Sequence, residues 1–455
     1  MNTRVAKALR AVLMATTWIA TCTLALAHNE LATQAQQLYT NAQHSDMQPE
    51  LSIAGKYPVG VRTTTITNNE HVNPFTQQIE PRKLKLEVWY PSSAKSKVHK
   101  TSYENELRSG RSFSIQANAS RDVALNDSEN WPLVVLSHGY TGYRTIMFYL
   151  GEHLASHGYI VVGIDHTDST NADVDFATAP FSGFMSTLLN RSRDQQLVLN
   201  YFGEVKNSNT VFGEGTKYQA NEAGVIGYSM GAFGALNTVG ACYDFPSALV
   251  SSFIQSQDPA KVKGMQTVLN TCSAGQYPQA VTGSKVVSDS RWQAMMAFAP
   301  WGGQHKVFSY DSLANITVPS MLVSGNLDDI SIYAGIQDIF AQFDHADHYM
   351  LTYLNARHNI AVHPAPKEAW QVEIDYGHYF EPAWSQQRLN QINQHFALAM
   401  MDCYLKQKTD KCAFLALDGN SNQVNPEGGL SAPWKGFDNR YSTGMEFMRQ
   451  STKAQ

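Results

Sequence analysis

The sequence predicts an α/β protein: a mostly parallel sheet with antiparallel strands at its N-terminal edge, helices on both faces, and one insertion. Three observations predict it. Between residues 132 and 354, short continuous apolar runs alternate with helical stretches, as expected when each strand is buried on both faces beneath crossover helices. Before them, apolar and polar residues alternate with period 2, the mark of a half-buried antiparallel strand. The rhythm then breaks once, at 242–289, where the connection is longer than one crossover requires.

In chain order, residues 1–27 read as a signal peptide. Arg4, Lys7 and Arg10 precede an apolar stretch that ends at Ala25-Leu26-Ala27, a small-x-small cleavage site. An uncleaved anchor is the alternative, and Cys22 faintly suggests a lipoprotein box, although Thr21 suits one poorly. Residues 28–50 are polar and Gln/Asn-rich, so a flexible leader is expected there. The rest, 51–455, is expected to be one domain. Val59–Thr65 and Leu84–Tyr90 are edge strands, and residues 93–130 read as a polar surface excursion. Buried strands follow at 132–137, 159–165, 223–227, 293–298, 320–324 and 349–354. Helices are expected at 146–157, 192–202, 332–343 and 385–405. The segment 242–289 is a possible cap, and the chain beyond Phe414 reads as irregular, with Trp434, Phe437 and Phe447 tying it back.

Composition narrows the functional classes. A net charge of -5 with no dense Lys/Arg run gives no electrostatic footprint for nucleic acid. Beyond the first segment no apolar run approaches the ~20 residues of a membrane span, so no stable membrane insertion is expected after cleavage. Four cysteines remain after Cys22 is removed, and they allow three pairings. Proximity favours Cys242–Cys272 and Cys403–Cys412, in keeping with a periplasmic or extracellular location. Without a Cys-x-x-Cys pair, a metal cluster is not expected, and no cofactor is implied.

The chemistry concentrates at Gly227-Tyr228-Ser229-Met230-Gly231, between a buried strand and a helix start. A serine in so tight a turn is exposed at the strand's end, and its crowded neighbours must be glycine. Serine needs a base, and in this architecture the acid and then the histidine follow it in the chain. Asp328 follows the fifth buried strand with Gly-x-x-Asp spacing, and Asp329 is the neighbouring alternative. His358 lies just past the sixth strand. Among the 15 histidines, His345 and His348 stand at the wrong end of that strand and read as exposed, while His363 and His378 are weaker alternatives. Two amide donors should hold an oxyanion: Met230 N–H, next to the nucleophile, and Tyr140 N–H in Ser137-His138-Gly139-Tyr140. Tyr140, Tyr143, Tyr228 and Trp301 suggest an apolar pocket.

These motifs, with Gly60-Val61-Arg62-Thr63, Val88-Trp89-Tyr90-Pro91 and Ala356-Arg357-His358-Asn359, resemble the bacterial α/β hydrolases related to platelet-activating-factor acetylhydrolase and dienelactone hydrolase. The resemblance implies the α/β-hydrolase fold and a Ser229–His358–Asp328 triad acting on carboxylic esters, with Tyr140 and Met230 as amide donors. Dienelactone hydrolases carry cysteine at the nucleophile position, so Ser229 points to the acetylhydrolase and esterase side. The expected substrate is a small-molecule or lipid ester, of short acyl chain first and lipid or polyester next. A non-catalytic binding protein on the same fold is the contrasting expectation.

Overall fold

The computed structural model describes residues 48–73, 76, 78–93, 100–278, 288–344, 347–423, 427, 434–437 and 442–450. The expected signal peptide and nearly all of the expected leader lie outside them.

The strands in chain order are β1 (Val59–Asn68), β2 (Arg82–Pro91), β3 (Lys100–Glu106), β4 (Ser112–Arg121), β5 (Leu133–Ser137), β6 (Ile160–Asp165), β7 (Ala223–Tyr228), β8 (Thr271–Cys272), β9 (Tyr277–Pro278), β10 (Trp292–Phe298), β11 (Ser320–Gly325), β12 (His348–Tyr353), β13 (Gly419–Asn420) and β14 (Met445–Gln450). Twelve of them form one sheet in the order β13-β14-β12-β11-β10-β7-β5-β6-β2-β1-β4-β3, and β8 and β9 form a small separate pair. The central run from β12 to β6 is parallel. Antiparallel pairs flank it, with β2 on β6 and β14 on β12.

The continuous apolar strands behave as their pattern predicts. Leu133 and Val135 join the core on one face of the sheet, and Val134 and Leu136 join the core on the other. All four are essentially removed from water, each contributing about 1.5–3 kcal/mol of transfer free energy. Helices Phe148–Ser156 and Gln386–Tyr404 cover one face, and Phe184–Phe202 and Met230–Thr238 cover the other.

Three expectations need correction. Residues 93–130 are not a surface excursion: they carry β3 and β4, a hairpin that extends the sheet. Phe113, Ile115, Ala117 and Ala119 are buried while Gln116 and Asn118 are exposed, a period-2 pattern masked by its small and polar members. Beyond Phe414 the chain is not wholly irregular, because β14 pairs antiparallel with β12 over six residues. Trp434, Phe437 and Phe447 do pack into the core. His348 is buried, not exposed, against Phe340 and Phe343. His345 lies outside the described residues.

Among its described residues, the segment after helix Met230–Thr238 contains two helices, Ser247–Ile254 and Pro259–Leu269, and is tied to the body by the Cys242–Cys272 disulfide. Cys403–Cys412 is the second disulfide. No helix among the described residues is long and apolar enough to cross a membrane.

Candidate active site

Strands β5, β7, β11 and β12 all end at the same edge of the sheet, and the candidate residues sit on the loops that leave it. Ser229 follows β7 directly, with φ 53° and ψ -113°. A β-carbon on Gly227 would stand 2.3 Å from Gly231 O, and one on Gly231 would stand 2.0 Å from Ser137 O. The turn therefore closes only with glycine at both positions, which explains the spacing seen in the sequence. The strained serine is held from below by its own N–H, which donates to Phe298 O at 2.8 Å. Helix Met230–Thr238 starts at the next residue, so its free N–H groups and positive dipole end face the serine.

Among the described residues, geometry sets one histidine against Ser229. His358 Nε2 lies 3.0 Å from Ser229 Oγ, and His358 Nδ1 lies 3.0 Å from both carboxylate oxygens of Asp328. His363 instead bonds the Tyr143 hydroxyl and Pro364 O, away from Ser229. Asp329 points elsewhere and pairs with Arg357. Asp328 Oδ1 also accepts the N–H groups of Ile330 and Ser331, at 2.9 and 2.8 Å. Burial alone would raise this carboxyl. The adjoining His358 and the two backbone donors outweigh it and hold Asp328 below the ordinary carboxylate value. Asp328 therefore stays ionised and fixes the imidazole by one nitrogen, leaving the other facing Ser229.

The acid and histidine loops are built as one piece. Leu327 N–H donates to Ala356 O at 3.0 Å, and a β-carbon on Gly325 would stand 2.3 Å from that same oxygen. The Gly-x-x-Asp spacing thus serves loop packing as well as placing the acid. Glu381 was not anticipated from the sequence. Its buried carboxylate accepts the N–H of Arg357 at 2.8 Å and of Asn359 at 2.7 Å, one on each side of His358. Burial raises the Glu381 carboxyl above its ordinary value, against the pull of these two donors. No local signal marks Glu381, since its role depends on a contact 22 to 24 residues away in the chain.

The loop after β5 carries Gly139 and Tyr140 beside Ser229. A β-carbon on Gly139 would lie 3.1 Å from Ser229 Cβ, so the backbone here runs directly against Ser229. His138 Nε2 accepts the His166 N–H, so Nδ1 carries the hydrogen and donates to Gly139 O at 2.6 Å. Burial first, then Arg191 and His166, push His138 well below the ordinary histidine value, so it stays neutral in this role. Beneath it, Gln195 bridges Ser137 Oγ and Gly231 O, tying the end of β5 to the start of helix Met230–Thr238.

A cavity of about 1050 Å³ opens over Ser229 and His358. Tyr140, Phe184, Tyr228, Phe253 and Trp301 give it an aromatic wall, and Phe253 comes from the inserted helix Ser247–Ile254. Tyr143 is not part of that wall: it is buried and bonded to His363 and Tyr379.

Comparison with known proteins agrees with this architecture. Residues 47–183 match the family model for platelet-activating factor acetylhydrolase, isoform II. The chain is 42% identical over 57 residues to the platelet-activating factor acetylhydrolase of Canis lupus familiaris, covering 12% of this chain and 13% of that protein. It is 28% identical over 123 residues to Cutinase est1 of Thermobifida alba, covering 27% of this chain and 35% of that protein. These alignments thus span about an eighth to a third of the relatives' lengths. Among solved structures, the ferulic acid esterase from Streptomyces cinnamoneus superposes with a TM-score of 0.53 at 16% identity, over 88% of this chain and 99% of that one. The chain has the α/β-hydrolase fold and is related to the platelet-activating factor acetylhydrolases.

Proposed function

We propose that the protein is a serine carboxylic-ester hydrolase, with Ser229 as nucleophile, His358 as general base and acid, and Asp328 as the residue that orients it. The observation that carries this reading is the unbroken hydrogen-bonded chain from Ser229 Oγ through His358 to the Asp328 carboxylate. His358 takes the Ser229 proton as the oxygen attacks the ester carbonyl, and Asp328 stabilises the imidazolium that forms. The N–H groups of Tyr140 and Met230 receive the negative charge on the carbonyl oxygen. His358 then protonates the leaving alcohol. Water, activated by the same histidine, attacks the acyl-enzyme and frees the acid.

The aromatic wall of the cavity supports an ester with an apolar acyl or alcohol portion. A short acyl ester is the first reading. An extended ester, lipid or polyester, is the second, favoured by Phe181, Ile330 and Phe380, which line the cavity while remaining strongly exposed. By their names the relatives, an acetylhydrolase, a cutinase and a ferulic acid esterase, belong to this class. The two disulfides favour an oxidising compartment, in keeping with export by the N-terminal 27 residues.

Hydrolysis of p-nitrophenyl esters of increasing acyl length, with the mature protein beside Ser229→Ala, tests the reading. Activity lost in the variant is expected, and the length profile would then separate short from extended acyl groups. Equal rates in both proteins would exclude Ser229.

A further inference from the structure

We infer that Arg108 makes an anion-binding subsite in the cavity, so that the preferred ester carries a carboxylate or phosphate besides its scissile bond. This rests on the esterase reading and names its substrate class.

Arg108 sits at the tip of the β3–β4 hairpin and lines the same cavity as Ser229 and His358. The tip is firmly held. Buried Asp375 accepts from Ser109 N at 2.9 Å and Ser109 Oγ at 2.6 Å, and pairs with Arg111 at 3.0 Å. That carboxylate is therefore committed to the neighbours of Arg108. Among the described residues, no carboxylate lies within ion-pair distance of Arg108 itself. Its Nε donates to Thr141 Oγ1 at 3.2 Å, and its guanidinium carbon lies 4.4 Å from the Phe176 ring centroid. Nothing described accepts a hydrogen bond from either terminal nitrogen.

The other charges lining the cavity balance. Asp329 and Arg357 pair with each other, and burial holds His305 and His378 below the ordinary histidine value. Arg108 thus leaves one uncompensated positive charge on a wall that is otherwise largely aromatic. Burial makes that charge expensive to maintain, and a planar guanidinium with two free nitrogens matches a carboxylate or phosphate. The rival role is structural: through Thr141, Arg108 would only brace the loop that carries Tyr140.

Two matched ester pairs separate these roles. 4-Nitrophenyl hemiglutarate is compared with its methyl-capped analogue, 4-nitrophenyl methyl glutarate. 2-Acetoxyethyl phosphate is compared with 2-methoxyethyl acetate. The readout is the ratio of kcat/KM, anionic over neutral, in wild type, Arg108→Gln and Arg108→Lys. The expected wild-type ratio is about tenfold or more for at least one pair, falling toward one in Arg108→Gln and partly restored in Arg108→Lys. The pair that shows the preference tells carboxylate from phosphate. A wild-type ratio near one for both pairs, or a ratio that Arg108→Gln leaves intact while both rates fall, would overturn the subsite; the latter is the mark of a brace. Should Arg108→Gln fail to fold, inhibition of wild type by glutarate against neutral glutaramide decides, and equal inhibition overturns the proposal. No turnover of any of the four esters by wild type would instead defeat the esterase reading.

Discussion

Replacing Asp328 by Asn tests the site at its most informative point. The amide is nearly isosteric with the carboxylate, so packing is preserved. Asp328 Oδ1 already accepts two backbone N–H groups, at 2.9 and 2.8 Å. The amide oxygen must take that place, because an NH2 group there would confront two donors. The NH2 group then faces His358 Nδ1, where Oδ2 now stands at 3.0 Å. The oxygen at the Oδ1 position, also 3.0 Å from Nδ1, already takes two backbone hydrogens, so the donating NH2 group favours the tautomer with a lone pair at Nδ1 and its hydrogen on Nε2, which faces Ser229. The base is thereby lost in its ground state. A tautomer fault of this kind costs about 10⁴-fold in kcat, or ~5 kcal/mol at 1.36 kcal/mol per tenfold. Asp329→Asn is the matched control. Its side chain is half exposed and pairs with an exposed Arg357, a contact worth about 0–1 kcal/mol, so a change of no more than about fivefold is expected. The assay is steady-state hydrolysis of p-nitrophenyl acetate, with thermal unfolding to confirm that each variant is folded. A folded Asp328→Asn protein that keeps more than about a hundredth of wild-type activity would refute the reasoning, as would an equal loss in Asp329→Asn.

Two further outcomes follow from buried groups. Glu381→Gln should lower kcat about tenfold and cost about 1–3 kcal/mol of stability, because the amide leaves one of the Arg357 and Asn359 N–H groups facing a donor; unchanged kinetics and denaturant midpoint would show that the clamp does not matter. His363 is held neutral by burial, its value lowered from the ordinary 6.5 to about 4. The unfolded chain therefore gains a proton as pH falls through 6.5, while the native chain resists until about 4, so stability present above pH 6.5 is lost across that window. The loss attributable to this side chain is up to about 3 kcal/mol. Urea unfolding at pH 7 and pH 4.5 should show a smaller drop for His363→Gln than for wild type, and parallel drops would contradict the assignment.

What the sequence revealed, and what it hid, follows from the range of the forces involved. Ser229 was legible because part of its constraint is local: Gly227 crowds Gly231 within a single turn. The strands β5 to β12 of the parallel run were legible because burial on both faces leaves only apolar residues. Asp328 and His358 were legible through position after a strand, and geometry sets His358 beside Ser229 and Asp328 beside His358. The hairpin β3–β4 was missed because its buried face is built partly from Ala117 and Ala119, between Gln, Asn and Ser. With it went Arg108, which the sequence shows only as one arginine in a polar stretch. Glu381 was hidden for a different reason: its partners are backbone N–H groups, which leave no trace in side-chain pattern. His348 was misread because proximity to a strand start says nothing of the aromatic pair that covers it.

The central claim is that Ser229 is an activated nucleophile. Its most direct test is reaction of the mature protein with a fluorophosphonate, followed by intact mass and peptide mapping. The account predicts one adduct per chain, located on Ser229, absent in Ser229→Ala and formed far more slowly in His358→Ala. A wild-type protein that takes up no label, or takes it up at another residue, would contradict it.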